Sequence, residues 1–161
     1  MGVLTLNSAG LLDPGIHGMT VDEVAELFVD GTGDHDARRR IFRRWVRHSE
    51  SLRSLLPVER QWVDGSFVTD KAVPGDIDVV SFVNGPALDA LLPATRALVE
   101  ALVSGPLTKA TWGVDSYLVP VYPPGHPAAV VTRRGLAAWE KQWSGVRGST
   151  TKKGFVEVKY V

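Results

Sequence analysis

Residues 76–83, reading DIDVVSFV, constrain this chain more than any other stretch. The run is rich in β-branched residues, which favour a pleated strand, yet it opens on two acids that alternate with apolar residues. Side chains two apart in a strand share a face. Asp76 and Asp78 are therefore expected side by side, with Ile77 turned into the core. The stretch before it, residues 60–67 (RQWVDGSF), is strand-like up to Gly65-Ser66, and residues 68–75 (VTDKAVPG) read as a loop.

The remaining elements follow from period and punctuation. Residues 11–18 (LLDPGIHG) hold Pro14, Gly15 and Gly18 and are expected to be irregular. Thr20 opens a capping box with Glu23, predicting a helix over 21–29. Asp34 or Asp36 caps a second helix over 37–56, with Ile41, Trp45, Leu52 and Leu55 or Leu56 at helical spacing and Pro57 ending it. Pro86 begins a helix to about residue 103, and residues 111–122 read as a third strand. A helix over 132–143, capped by Thr132, and a strand over 154–161 close the chain. Two adjacent strands followed by a helix and another strand predict an α/β (or α+β) fold, a short mixed sheet flanked by helices.

At 161 residues and 44% hydrophobic content the chain has the size and core of one domain. Residues 1–57 supply N-terminal helices, 60–122 the candidate catalytic core, and 123–161 a C-terminal helix and strand. Eighteen basic residues balance eighteen acidic ones, so attraction to phosphates must be local. With no cysteine, disulfide scaffolds and thiolate metal sites are excluded. No signal-peptide pattern or membrane-length apolar run is visible, so a cytoplasmic protein is expected.

The chemistry concentrates in residues 62–80 (WVDGSFVTDKAVPGDIDVV). Gly65 permits a backbone path closed to other residues and lets a phosphate approach the main chain. Ser66 offers a hydroxyl and an N–H to the same anion. Two carboxylates as close as Asp76 and Asp78 repel each other unless a cation sits between them, and oxygen ligands suit Mg²⁺ or Mn²⁺. Asp115 opens the apolar run 117–122 as Asp76 and Asp78 open theirs. It is the candidate third carboxylate if the two strands are neighbours. Thr69 and Lys71, in the intervening loop, are candidate contacts to a triphosphate.

Gly65, Ser66, Asp76 and Asp78 together resemble the active-site signature of the DNA polymerase β-like nucleotidyltransferase superfamily: Gly-Ser, a gap of roughly ten residues, then two acids alternating with apolar residues. Asp115 matches the third acidic position. The run GSFVTDK-x-x-PGDIDVV is similar to that of small bacterial and phage-borne nucleotidyltransferase-like proteins. The resemblance implies a minimal nucleotidyltransferase fold. It also implies Mg²⁺- or Mn²⁺-dependent transfer of a nucleoside monophosphate, often AMP from ATP, to a hydroxyl on a protein partner such as a toxin, or on an RNA end. Asp76, Asp78 and Asp115 are then the metal-binding and catalytic residues, and Gly65, Ser66, Thr69 and Lys71 hold the nucleotide. A competing expectation is a non-catalytic binding module of the same fold, an antitoxin or regulatory partner in a toxin–antitoxin or phage-defence setting.

Three features stand outside the signature. Arg38, Arg39, Arg40, Arg43, Arg44 and Arg47 crowd one helix. They read either as an exposed face or as a surface for an RNA backbone or an acidic partner. Lys152 and Lys153 read as a solvated strand start, with contact to phosphates as the alternative. The four histidines lack metal-ligand spacing, and the five tryptophans read as core or core-edge residues, Trp139 and Trp143 packing four apart on one helix face.

Overall fold

Residues 79–83 form a strand hidden on both sides, and the molecule is layered around it. The computed structural model describes residues 3–160; Val161, the expected end of the last strand, lies outside them. In chain order the elements are β1 (Gly15–Gly18), α1 (Val21–Ala25), α2 (His35–Arg53), β2 (Val58–Asp64), β3 (Asp78–Asn84), α3 (Gly85–Asp89), α4 (Pro93–Leu102), α5 (Pro106–Trp112), β4 (Asp115–Val121), α6 (Ala129–Trp143) and β5 (Gly154–Lys159). Helix α1 runs on into a wider π-type turn, Glu26–Asp30.

The fold is mixed α/β. Its five strands lie in the order β1-β5-β2-β3-β4. Strands β1 and β5 are parallel, as are β3 and β4; β2 runs antiparallel to both β3 and β5. On one face Phe28, Ile41 and Trp45 pack with Phe67, Val63, Val79 and Val156. On the other, Trp143 of α6 packs with Trp62, Val80, Phe82 and Phe155. Val79 and Val80 thus serve opposite cores, which is why the run is continuously apolar rather than alternating. A third cluster, Leu52, Leu56, Val83, Val99 and Leu102, seals the sheet end away from the acids.

Several expectations are corrected. The irregular stretch holds strand β1, made by pairing Gly15–Gly18 with Gly154–Glu157 rather than by local propensity. The helix expected over 86–103 is two, because Pro93 forces Leu92 into extended backbone (φ −64°, ψ 151°). The start of the expected third strand is helix α5, framed by Pro106 in its first turn and Gly113 in the left-handed region (φ 74°). Helix α6 begins at Ala129, and Thr132 is interior. Its hydroxyl donates to the Pro120 carbonyl (2.8 Å) and accepts from the Tyr122 N–H (2.9 Å), tying α6 to β4.

Arg38 departs furthest from its expected place. It is fully buried (0% exposed), unlike the arginines that follow it on α2. Its guanidinium donates to the carbonyls of Phe28 (2.9 Å), Phe67 (2.8 Å), Thr69 and Lys71. The fork of five donors suits this work, since a lysine offers three from a single point. One side chain thereby pins the loop after Ser66 to α2. Arg38→Met strands those carbonyls away from water, so chemical denaturation is expected to show a loss of about 3 kcal/mol or more.

Candidate active site

The site is assembled by strand register. Asp64, the last residue of β2, lies opposite Asp78, the first of β3. Asp78 lies beside Asp115, the first of β4. Residues in register across neighbouring strands share a face, so three carboxylates form one row at the sheet end. Asp76 precedes β3 by two residues, outside the strand where the sequence put it, and Ile77 between the acids is fully buried as expected. All four acids line a single cleft of about 650 Å³, the size of a small-ligand site. Tyr117, Trp139 and Trp143 form its aromatic wall, and Lys109, Arg147 and Lys153 bring positive charge to its lining.

The Gly-Ser turn locks onto Asp76. Gly65 has φ 89°, a region open to glycine. A Cβ there would sit 3.1 Å from the Asp78 nitrogen and 3.2 Å from the Asp76 carbonyl oxygen. The Ser66 N–H donates to Asp76 Oδ1 (2.6 Å), and so does its hydroxyl. The Ser66 Oγ in turn accepts from the Gly75 and Asp76 N–H groups (3.0 and 3.2 Å). Both groups the sequence assigned to a phosphate therefore hold the protein's own carboxylate. Thr69 closes the turn, its hydroxyl donating to the Ser66 carbonyl (2.7 Å). Lys71 is exposed in the same loop and does not line the cleft.

These surroundings drive the acids apart. Burial alone would raise the Asp76 carboxyl, but hydrogen bonds from Ser66, aided by Lys109 and Lys71, hold it below its ordinary value. Asp78 is pushed up to about 7, first by burial, then by Asp76, by a hydrogen-bonding contact with Asp115 and that residue's charge, and by Asp64. Asp64 rises to about 6 because burial outweighs Lys153, whose Nζ sits 2.6 Å from both carboxylate oxygens. Lys109 Nζ lies 3.8 Å from Asp115 Oδ2. Neighbouring carboxyls tuned in opposite directions are a mark of acid–base and metal sites.

Among the described residues, no three His, Asp or Glu side chains already stand as a metal cage. The donor set still fits a divalent cation. Mg²⁺ usually takes one or two carboxylates and completes its shell with water and substrate phosphates, and the surplus charge around Asp78 is what a cation relieves.

Asp64, Lys109 and the Tyr117–Trp139 wall were not singled out from the sequence. Asp64 carried a readable signal, an acid at the end of an apolar strand, the same argument applied to Asp115. Lys153 was expected in solvent, but its side chain is only 13% exposed because Asp64 captures it. The role of Lys109 depends on α5, an element the sequence reading missed.

The crowding has a thermodynamic sign. A carboxyl whose folded pKa lies above its unfolded value favours folding while protonated, and that advantage disappears as pH rises through the folded value. Asp78→Asn removes the buried charge, so its melting temperature at pH 8 is expected to exceed wild type by about 3 °C or more. By pH 5 the difference should shrink, because Asp78 is then protonated. Calorimetry at the two pH values checks this.

No curated protein and no solved structure matches this chain. The match to DUF6932, a family of unknown function, spans residues 4–159, and the chain belongs to that family.

Proposed function

We propose that the chain is a metal-dependent nucleotidyltransferase of the DNA polymerase β-like superfamily, moving a nucleoside monophosphate, AMP when the donor is ATP, to an acceptor hydroxyl. The observation that carries the reading is the register row of Asp64, Asp78 and Asp115 beside Asp76, opening on an aromatic-walled cleft. Carboxylates crowded at the mouth of a nucleotide-sized cleft, with basic side chains in its lining, match the needs of phosphoryl chemistry, which is mostly positioning and charge neutralisation.

In this reading Asp78 and Asp115, with the free oxygen of Asp76, would hold Mg²⁺ or Mn²⁺. A cation bound there would supply charge neutralisation at the transferred group and would make the acceptor hydroxyl more acidic. Lys109 and Arg147, which line the cleft, engage the triphosphate, and the Tyr117–Trp139 wall receives the base. The acceptor oxygen forms a bond to the α-phosphorus while the bond from that phosphorus to the oxygen bridging to the β-phosphate breaks. Pyrophosphate leaves, and the acceptor proton passes to the Asp115 carboxylate. Ser66 positions Asp76, and Lys153 holds Asp64. A cytoplasmic setting goes with this proposal, since the donor is found there. Among the described residues no helix is long and apolar enough to cross a membrane.

A second reading, a binding module without turnover, is favoured by the occupied state of Ser66, whose N–H and hydroxyl are already spent on Asp76.

Pyrophosphate release and label transfer from α-labelled triphosphates, with Mg²⁺ and with RNA or protein acceptors, separate the two. Asp76→Ala and Asp78→Asn are each expected to lower transfer by about 100-fold or more while the fold is kept. Transfer that survives in both variants sinks the catalytic reading. Triphosphate binding without turnover by the wild type supports the module.

A further inference from the structure

The exposed side of α2 is a strongly basic surface that the proposed chemistry leaves unused. Between Asp36 and Glu50 the helix carries six arginines and no acid. Arg38 turns inward, and Arg39 meets Asp30 at 3.5 Å. Arg40, Arg43, Arg44 and Arg47 are exposed, and among the described residues none of them makes an ion pair. Spaced three and four apart, they lie along one stripe of the helix.

The stripe leads to the acids. Arg44 and Arg47 line a second cavity, about 440 Å³, with Lys109, Thr111, Trp112 and Gly113. Lys109 also lines the acidic cleft and stands 3.8 Å from Asp115 Oδ2. Gly113 makes the join possible. A Cβ at this position would lie 2.5 Å from Arg44 Cδ, so a residue without a side chain lets Arg44 lie across the turn before Asp115. Trp112 is half-buried in the same cavity, its ring edge-on to His48 at 5.9 Å.

We propose that this groove, from Arg40 along α2 through Arg44, Arg47 and Trp112 to Lys109, binds a single-stranded nucleic acid and directs its terminal hydroxyl to the acidic cleft. The surface part stands alone; the role of the hydroxyl rests on the nucleotidyltransferase reading. Two observations favour a strand over other anions. The arginine stripe runs about 10 Å along the helix axis and leads away from the cleft, where a triphosphate held by the acids has no phosphate left to place. A basic track beside a half-buried aromatic ring that lines the same cavity suits alternating phosphates and bases, whereas an acidic peptide has no base to stack.

The test is fluorescence anisotropy of a labelled single-stranded RNA of mixed sequence, titrated with salt. Wild-type protein is expected to bind with affinity that falls steeply as salt rises. Arg44→Ala with Arg47→Ala is expected to weaken binding about tenfold and to flatten the logarithmic salt slope by about 1.4, or about 0.7 for each lost phosphate contact. Arg40→Ala with Arg43→Ala, further from the cavity, should shift both quantities the same way. Arg133→Glu with Arg134→Glu, on the exposed face of α6, should leave them unchanged. The proposal is overturned if wild type does not bind RNA, if the α6 variant loses as much affinity as the α2 variants, or if polyglutamate binds where RNA does not. Transfer to a protein acceptor without RNA binding overturns this inference and leaves the nucleotidyltransferase reading standing. RNA binding without triphosphate turnover upholds the surface and sinks that reading.

Discussion

Four carboxylates gathered at the ends of three neighbouring strands repel one another, and three of them have a compensating partner. Asp76 is held ionised by the Ser66 turn. Asp64 is matched by Lys153. Asp115 has Lys109 within reach. Asp78, at the centre of the row, is left with too little compensation, and its carboxyl rises to about 7. A protein selected for stability alone has little reason to gather these groups, because buried charge costs free energy unless it is paired. The unrelieved repulsion is concentrated at one residue facing a cleft, where a cation would relieve it.

Helix α2 supports this arrangement from both of its sides. Inward, Arg38 gathers the carbonyls that follow Ser66, while Trp45 and Ser49 donate to Gln61 of β2 at 3.0 and 2.9 Å. Gln61 Nε2 passes the connection to Ser81 of β3 (2.9 Å). The buried polar chain runs from helix to sheet with its members satisfied, which favours a single arrangement of the two layers. Outward, the same helix presents unpaired arginines. One face fixes the depth of the turn under the acids, and the other sets the field around them.

How much was legible in the sequence depended on how local the cause was. The capping box at Thr20, the Asp34 cap of α2 and the apolar run after Asp78 are set by neighbours in the chain, and they stand as read. Strand β1 is made by a partner at the far end of the sequence, so four residues with glycine at both ends carried no signal. Helix α5 carried its signals in Pro106 and Gly113, but the apolar residues after them suggested a strand. In the site, the association of the Gly-Ser turn with the paired aspartates was readable from spacing. That Ser66 would spend its donors on Asp76, and that Asp64 would complete the row, follows from register, which a single sequence does not display. Arg38 and Arg44 have the same residue type and lie on the same helix, yet one is a buried clamp and the other a solvent-facing charge.

The pairing of β1 with β5 has a consequence for how the molecule is made. Among the described strands β1 is held by β5 alone, along a parallel ladder, and β5 is the strand farthest from it in the sequence. Pairing β1 therefore closes the longest stretch of chain between any two of the described paired strands, and that entropy is lost before any ladder bond forms. The β2–β3–β4 layer that carries the acids needs no such closure. The pairings that align Asp64, Asp78 and Asp115 form without β1, whereas Lys153 meets Asp64 only once the chain leading into β5 is in place.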